Sequence, residues 1–269
     1  MPEGHVIHRL AAELGAAFAG RPVRVTSPQG RFAAAAQELD GATLTAAEAY
    51  GKHLFIEFDA RVIHLHLGLI GKLRWVAPGP VLSPETLRLL ISNGRQIVEL
   101  RGPQTCELIT VAERDAVVAG LGPDPLRADA DPKLAWQRVH RSSRPIAALL
   151  MDQRIAAGVG NIYRCEVLFR AGVNPELPGT ELAEATWALL WRDLVELMPL
   201  GVRDGRIDTV REAESPERTG RPPRVDRHGG EVYVYRRAGD ECLVCGRGIS
   251  VRQLAGRSLY WCENCQPLR

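Results

Sequence analysis

The run Met1-Pro2-Glu3-Gly4 puts a proline directly after the initiator methionine and a carboxylate next to it. A small second residue permits removal of Met1, which would leave Pro2 carrying a secondary amine. An α-amino group is roughly 10 to 20 % neutral at pH 7 and a lysine on the order of 0.04 %, so a chain end needs far less tuning to attack an electrophilic carbon. Glu3 is placed beside it to act as acid or base. On these residues alone a processed, frayed start is the ordinary reading, and the rest of the chain must decide.

A second constellation is Cys242-x2-Cys245 followed, after sixteen residues, by Cys262-x2-Cys265. Each CxxC knuckle presents two thiolates to one face, and the spacer is long enough for a hairpin between them, which predicts a structural zinc site. With all four positions taken by cysteine no coordination position stays open for water, so one ion holds shape only. Residues 236 to 269 hold six arginines against three acids.

Three weaker signals involve glycine. Gly158-Val159-Gly160-Asn161 lacks the lysine and the preceding strand of a phosphate-binding P-loop. It is either a turn between helices or a site where backbone N–H groups and the Asn161 amide hold a nucleic-acid phosphate. Gly51-Lys52-His53 sets a lysine at a tight turn, where a solvated charge is the ordinary outcome. Leu67-Gly68-Leu69-Ile70-Gly71 brackets two apolar residues that belong either to the core or to an exposed wedge.

Composition sets the frame for these groups. The chain has 269 residues, 45 % hydrophobic and 25 % charged, enough for two domains and typical of folded protein, and a net charge of +2 means any basic footprint is local. A basic-apolar leader and an apolar run of about 18 residues are both missing, which predicts a cytoplasmic protein with no membrane partner. In a reducing compartment the paired cysteines read as metal ligands, and Cys106 and Cys165 as small buried hydrophobes.

Helical spacing of Val6, Leu10, Leu14 and Phe18 predicts a leading helix from His5, with His5 and His8 facing solvent or DNA. Short strands are predicted at 23–26, 43–49, 53–58, 62–67, 87–92, 96–100 and 106–111, with Asn93-Gly94 as a hairpin turn, which argues for a β-sandwich or barrel over 1–120. Residues 121–132, rich in Gly, Pro and Asp, read as a linker. Helices are then predicted over 133–140, over 146–151 capped by Ser142 to Pro145, over 162–171, and over 180–198 ending at Pro199. Residues 201–230 read as a mobile loop, and 231–236 as a strand leading into Cys242.

Taken together, PEGHVIHR at the start, GKHLF around Lys52, HLGLIGKLR around Leu69, MDQRIAAGVGNIYRCEVLFRAGVNP around Asn161 and the cysteine-bearing end with GRSLYWCENCQ resemble the formamidopyrimidine-DNA glycosylase and endonuclease VIII family over essentially the whole chain. The resemblance implies an α+β protein: an N-terminal β-sandwich with a leading helix over 1–120, a helix-two-turns-helix domain with its mobile loop over 133–230, and a zinc-finger hairpin over 231–269. It implies Pro2 as nucleophile, Glu3 as proton donor and Lys52 as a lysine that contacts DNA phosphate. Asn161 and Arg257 match backbone-gripping positions and Leu69 the wedge.

The 8-oxoguanine branch of that family carries an Arg and a Phe after the Asn-Gly hairpin. Here the matching run is Arg101-Gly102-Pro103-Gln104-Thr105-Cys106, without such a pair, so the chain resembles the endonuclease VIII branch. The implied activity is base excision repair by a monomeric DNA glycosylase and lyase, nucleoid-associated when bound to damaged DNA, be it duplex, bubble or single-stranded. Oxidised pyrimidines would be favoured, through a Schiff base at Pro2 and β,δ-elimination. The alternatives are an 8-oxoguanine-preferring relative and an inactive zinc-ribbon DNA-binding protein.

Overall fold

The computed structural model describes residues 2–226 and 230–268, so Met1, the tip of the expected mobile loop at 227–229 and Arg269 lie outside it. The chain divides into two compact units, 1–120 and 121–269.

In chain order the first unit contains α1 (Gly4–Phe18), β1 (Arg21–Pro22), β2 (Arg24–Thr26), α2 (Ala33–Leu39), β3 (Thr43–Leu44), β4 (Ala46–Tyr50), β5 (His53–Phe58), β6 (Arg61–His66), β7 (Lys72–Val76), β8 (Leu87–Ser92), β9 (Ile97–Arg101), β10 (Thr105–Thr110) and α3 (Val111–Ala119). Two antiparallel sheets, ordered β10-β6-β5-β4 and β2-β8-β9-β7, share one core. Leu54, Ile56, Ile63 and Leu65 enter it from the first sheet, and Leu73, Leu89, Ile91, Val98 and Leu100 from the second. Alternation at period two drives this arrangement, because every second side chain on each strand meets the facing sheet.

Helix α1 buries Ile7, Leu10, Ala11, Leu14 and Phe18 in the same core. The expected stripe began at Val6, which is only partly buried; Ile7 takes that place because an i, i+3, i+4 face runs through Leu10, Ala11 and Leu14. His5, expected to face solvent or DNA, is buried, and burial holds its pKa down at about 4. Four elements of this unit were not anticipated: β1, α2, β7 and α3. Helix α3 has no fully buried residue, so no apolar stripe marks it. Its start is set by a capping box between Thr110 and Glu113.

The second unit contains α4 (Pro132–Val139), α5 (Ile146–Leu149), α6 (Asn161–Arg170), α7 (Glu184–Asp204), α8 (Pro216–Thr219), β11 (Ser250–Leu254) and β12 (Arg257–Trp261). Helix α7 runs through Pro199, where it was expected to stop, because Met198 and Gly201 are buried around the proline; it ends at Gly205 with φ 70°. The expected serine cap of α5 is absent. Instead Ile146 and Ala147 donate their backbone N–H to the carbonyls of Leu177 and Pro175, at 2.8 and 3.1 Å.

The stretch 121–132 is docked rather than loose. Gly122 donates to Gln153 O at 2.9 Å, and a Cβ on Gly122 would stand 2.5 Å from Arg154 O, so only glycine fits there. The stretch 201–230, expected to lack structure, carries the end of α7, one 3-10 turn at Glu212–Glu214 and α8. Its described part, 201–226, is tied down by Arg221 to Glu231 at 2.6 Å and by Arg224, which donates to Tyr235 O at 3.2 Å. Residues 231–236 form no strand. Val232, Tyr233, Val234 and Tyr235 are all buried, so the alternation that suggested a half-buried strand marks a segment enclosed on every side.

Candidate functional site

Pro2 and Glu3 stand at the head of α1, which lies against β4 and β5. Glu3 is the residue before the first helical turn, extended at φ −116°, and is fully buried. The helix thus fixes a proline nitrogen position next to a buried carboxyl. Lys52 sits with Gly51 in the two-residue turn between β4 and β5, where Tyr50 pairs with His53 and Gly51 has φ 57°. A left-handed φ at the first turn position is what a tight hairpin demands, and glycine supplies it without steric cost.

Directly after Lys52, His53 joins His64 and His66 on the sheet face opposite the core, an arrangement the sequence reading did not draw out. His53 Nδ1 lies 2.8 Å from His64 Nε2, and the two rings stack at 5.1 Å. His66 is 5.0 Å from His53. Such a contact needs one nitrogen protonated and the other bare, so neutral imidazoles suit it. Burial is the largest cause that holds His53 at about 3 and His64 at about 4, followed by the repulsion of neighbouring imidazoles, with Lys52 adding to it at His53. His66 is lowered too, chiefly by burial. The alternation His64-Leu65-His66 opposite His53 was the available signal.

The loop from Leu67 to Gly71 closes through Gly71 N–H to Leu67 O at 3.0 Å. A Cβ on Gly71 would stand 2.2 Å from that same carbonyl, and Gly68 has φ 66°. Both glycines are therefore required by the turn, and between them Leu69 is 56 % and Ile70 77 % exposed. These two are surface tips and not core.

In the second unit, Asn161 and Arg257 are brought together. Asn161 opens α6, and its Nδ2 donates to the carbonyl of Ser258, the neighbour of Arg257 on β12, at 2.8 Å. Its Oδ1 accepts from Arg164, a guanidinium that is wholly buried and also donates to Ala147 O at 3.4 Å. Five residues along, Glu166 is equally buried. Its carboxylate accepts from Thr209 Oγ1 at 2.5 Å and from the backbone N–H groups of Tyr233, Val234 and Tyr235 at 2.7, 2.9 and 2.9 Å. Those are the donors that a strand at 231–236 would have given to a neighbour. A charged pair inside the apolar run Ile162 to Phe169 was the sequence signal for both residues, since a helix seldom encloses charges without using them.

The four zinc-pattern cysteines converge, all Sγ atoms lying within 4.8 Å of one another. Cys242 and Cys265 are 3.8 Å apart, and Cys245 and Cys262 3.5 Å. Zinc–sulfur bonds of about 2.3 Å in a tetrahedron put neighbouring sulfurs about 3.8 Å apart, so the donor set fits zinc. Gly246 makes the first knuckle turn with φ 73°, its N–H donating to Cys242 O at 2.9 Å. The far end is anchored by Gln266, which donates to Val173 O at 2.8 Å and accepts from Cys262 N–H at 3.1 Å. Cys106 and Cys165 are buried, and burial pushes each thiol up to about 12, which makes them inert.

Known families cover nearly all of this framework. Residues 1–105 match the formamidopyrimidine-DNA glycosylase N-terminal domain, 121–212 the formamidopyrimidine-DNA glycosylase H2TH domain, and 239–268 the zinc finger found in FPG and IleRS. Endonuclease 8 1 of Mycobacterium tuberculosis is 47 % identical over 271 residues, which span 99 % of this chain and 100 % of the relative. Formamidopyrimidine-DNA glycosylase of Methylococcus capsulatus is 32 % identical over 86 % of this chain and 84 % of its own length. Among solved structures, Lactococcus lactis Fpg in complex with abasic-site DNA superposes with a TM-score of 0.79 at 24 % identity, over 99 % of this chain and 100 % of that one, a likeness of fold. With the fold, the paired α6–β12 platform and the four-thiol zinc site in place, the chain belongs to the formamidopyrimidine-DNA glycosylase and endonuclease VIII family.

Proposed function

We propose that this DNA repair glycosylase excises oxidised bases, pyrimidines in preference, with Pro2 as nucleophile and Glu3 as proton donor. The observation that carries the reading is the pairing of Pro2 with a fully buried Glu3 at the head of a helix seated on the two strands that hold Lys52. After loss of Met1 the Pro2 nitrogen attacks C1′ of the extruded nucleotide. Glu3 delivers a proton as the base leaves with the electrons of the glycosidic bond. The Pro2 nitrogen, having lost its own proton, then expels O4′ from C1′, O4′ takes up a proton, the sugar ring opens, and an iminium links Pro2 to C1′. That cation acidifies the C2′ hydrogen, so loss of the C2′ proton expels the 3′ phosphate, and a second elimination expels the 5′ phosphate. Lys52 holds a backbone phosphate during these steps.

The remaining parts bind DNA. Leu69 enters the stack vacated by the damaged base, at a cost that is least where the base pairs poorly. Asn161, through its second Nδ2 hydrogen and the N-terminus of α6, and Arg257 from β12 grip one stretch of backbone. A single zinc ion holds the hairpin in shape. The enzyme acts as a cytoplasmic monomer that joins the nucleoid when bound to DNA; no helix among the described residues is long and apolar enough to cross a membrane.

Borohydride reduction in the presence of lesion-bearing DNA tests the core of this reading. A covalent adduct is expected, mapping to Pro2, on protein whose intact mass lacks Met1. Full activity with Met1 retained, which makes the Pro2 nitrogen an amide, would sink the mechanism. An adduct at Lys52 would move the nucleophile there.

A further inference from the structure

Arg101, the last residue of β9, faces Lys72 at the start of β7 on one side and Leu87 at the start of β8 on the other. One end of this sheet therefore collects two loops: 67–71, which runs directly into Lys72, and the turn 82–86, which runs directly into Leu87. Arg101 binds the second loop to the sheet. Its Nη2 donates to Leu82 O at 2.6 Å, and its Nη1 donates to Ser83 O at 2.8 Å and to Thr86 Oγ1 at 2.5 Å. Glu99 accepts from Nε and Nη2 at 3.1 and 3.0 Å, which aims the guanidinium.

The turn so held is costly. Ser83 has φ 48°, a left-handed conformation that a serine keeps only when its surroundings enforce it. What it displays is apolar: Val81 is 41 % and Leu82 75 % exposed. A lone exposed leucine calls for no explanation, but a strained turn clamped by three guanidinium bonds and presenting two apolar side chains does. The other apolar tip, Leu69 and Ile70, lies at the same sheet end, and Ile70 reaches back to the residue after Arg101: a Cβ on Gly102 would stand 3.8 Å from Ile70 Cδ1. Exposed Lys72 and Arg74 on β7 add cations suited to phosphate.

We propose that Val81 and Leu82 form a second apolar tip of the DNA interface, held by Arg101, which enters the duplex beside Leu69 and packs against the bases flanking the extruded nucleotide. This inference rests on the reading of the loop 67–71 as a wedge. It gives Arg101 a task other than hydrogen bonding to the base opposite the lesion, since its guanidinium is spent on the Leu82 turn. Leu82 and Arg101 are thus positioning residues for extrusion, and they matter in proportion to the base pairing that must be broken.

Single-turnover excision from duplex and from bubble DNA carrying the same lesion tests it. Leu82→Ala is expected to lower the duplex rate by about tenfold, the worth of one buried leucine side chain, and the bubble rate by less. Leu82→Met should restore the parent ratio, and Arg101→Ala should reproduce Leu82→Ala. An unchanged duplex-to-bubble ratio in Leu82→Ala overturns the proposal. If Leu69→Ala lowers that ratio while Leu82→Ala does not, the wedge reading stands and the second tip falls; if neither lowers it, both fall.

Discussion

Asn161 and Ser258, 97 positions apart in sequence, are joined by a 2.8 Å hydrogen bond from the Asn161 amide to the Ser258 carbonyl. The bond sets the N-terminus of α6 beside the strand that presents Arg257, so two proposed phosphate contacts share one rigid support. Asn161→Ala removes a buried bond worth about 1 kcal/mol and also loosens Arg257. Binding of abasic-site DNA should therefore weaken in Asn161→Ala and in Arg257→Ala, and the double variant should lose less than the sum of the two. Strict additivity in a double-mutant cycle would mean that the shared support does not couple them.

Glu166 gives a prediction about stability alone. Its carboxylate serves four donors, three of them consecutive backbone N–H groups at Tyr233, Val234 and Tyr235. Glutamine would turn an NH2 toward some of those donors and remove the charge that strengthens the rest. Glu166→Gln should cost the second unit about 3 kcal/mol. Urea unfolding of parent and variant checks it, and an equal midpoint would show that the carboxylate is dispensable.

How much of this was open to sequence reasoning depended on whether the partner of a residue was local. The CxxC knuckles were legible because each is a self-contained turn with both ligands in it. Strands β5 and β6 were legible because Leu54, Ile56, Ile63 and Leu65 alternate on one face. The segment 231–236 was misread as a strand because its buried Val and Tyr residues alternate in type, while the group that takes up its N–H bonds, Glu166, lies some 67 positions earlier. Arg101 is a similar case: its absence of a family-type neighbour was visible, but its task at Leu82, Ser83 and Thr86 exists only in the folded chain.

Acid should weaken the first unit through its histidines. Unfolded, His5, His53 and His64 titrate near the ordinary value of about 6.5. Folded, they titrate at about 4, 3 and 4, because burial disfavours the imidazolium. The unfolded chain thus binds protons first, so this contribution to stability is fully present above the unfolded value and is lost as pH falls from there toward the folded values. The urea midpoint of the first unit's transition should drop between about pH 7 and pH 5. His64→Phe, which keeps a ring against Phe55 and His53 but cannot titrate, should drop less over that window.

Zinc removal should reach beyond the hairpin. Ile249, Leu259 and Cys262 belong to the same core as Trp187, Leu190 and Tyr163, so the metal-bearing end is not an appendage. Chelation, or Cys262→Ser, is expected to abolish DNA binding and to raise hydrogen exchange in α6 as well as in β11 and β12, while β5 and β6 stay protected. Normal DNA binding by zinc-stripped protein would remove the hairpin from the interface.

The last prediction concerns the lesion. Arg101 is the one arginine in the run that could have read the base opposite the damage, and its guanidinium is engaged by Leu82, Ser83, Thr86 and Glu99. What remains for the duplex are apolar tips, Leu69 and Ile70 and, on the inference above, Val81 and Leu82. Such tips fill space but offer no hydrogen bonds to an orphaned base. Discrimination then rests on how much energy extrusion requires, and ring-saturated pyrimidines and hydantoins, which stack and pair poorly, require less than 8-oxoguanine paired with cytosine. Single-turnover rates should therefore favour thymine glycol, 5-hydroxyuracil and a hydantoin over 8-oxoguanine in duplex DNA, with weak dependence on the opposite base. In bubble or single-stranded DNA the gap should narrow, because the pairing cost is gone. Preferential excision of 8-oxoguanine opposite cytosine would place this protein in the other branch of its family and would require a reader of the orphaned base that Arg101, as it is held, does not supply.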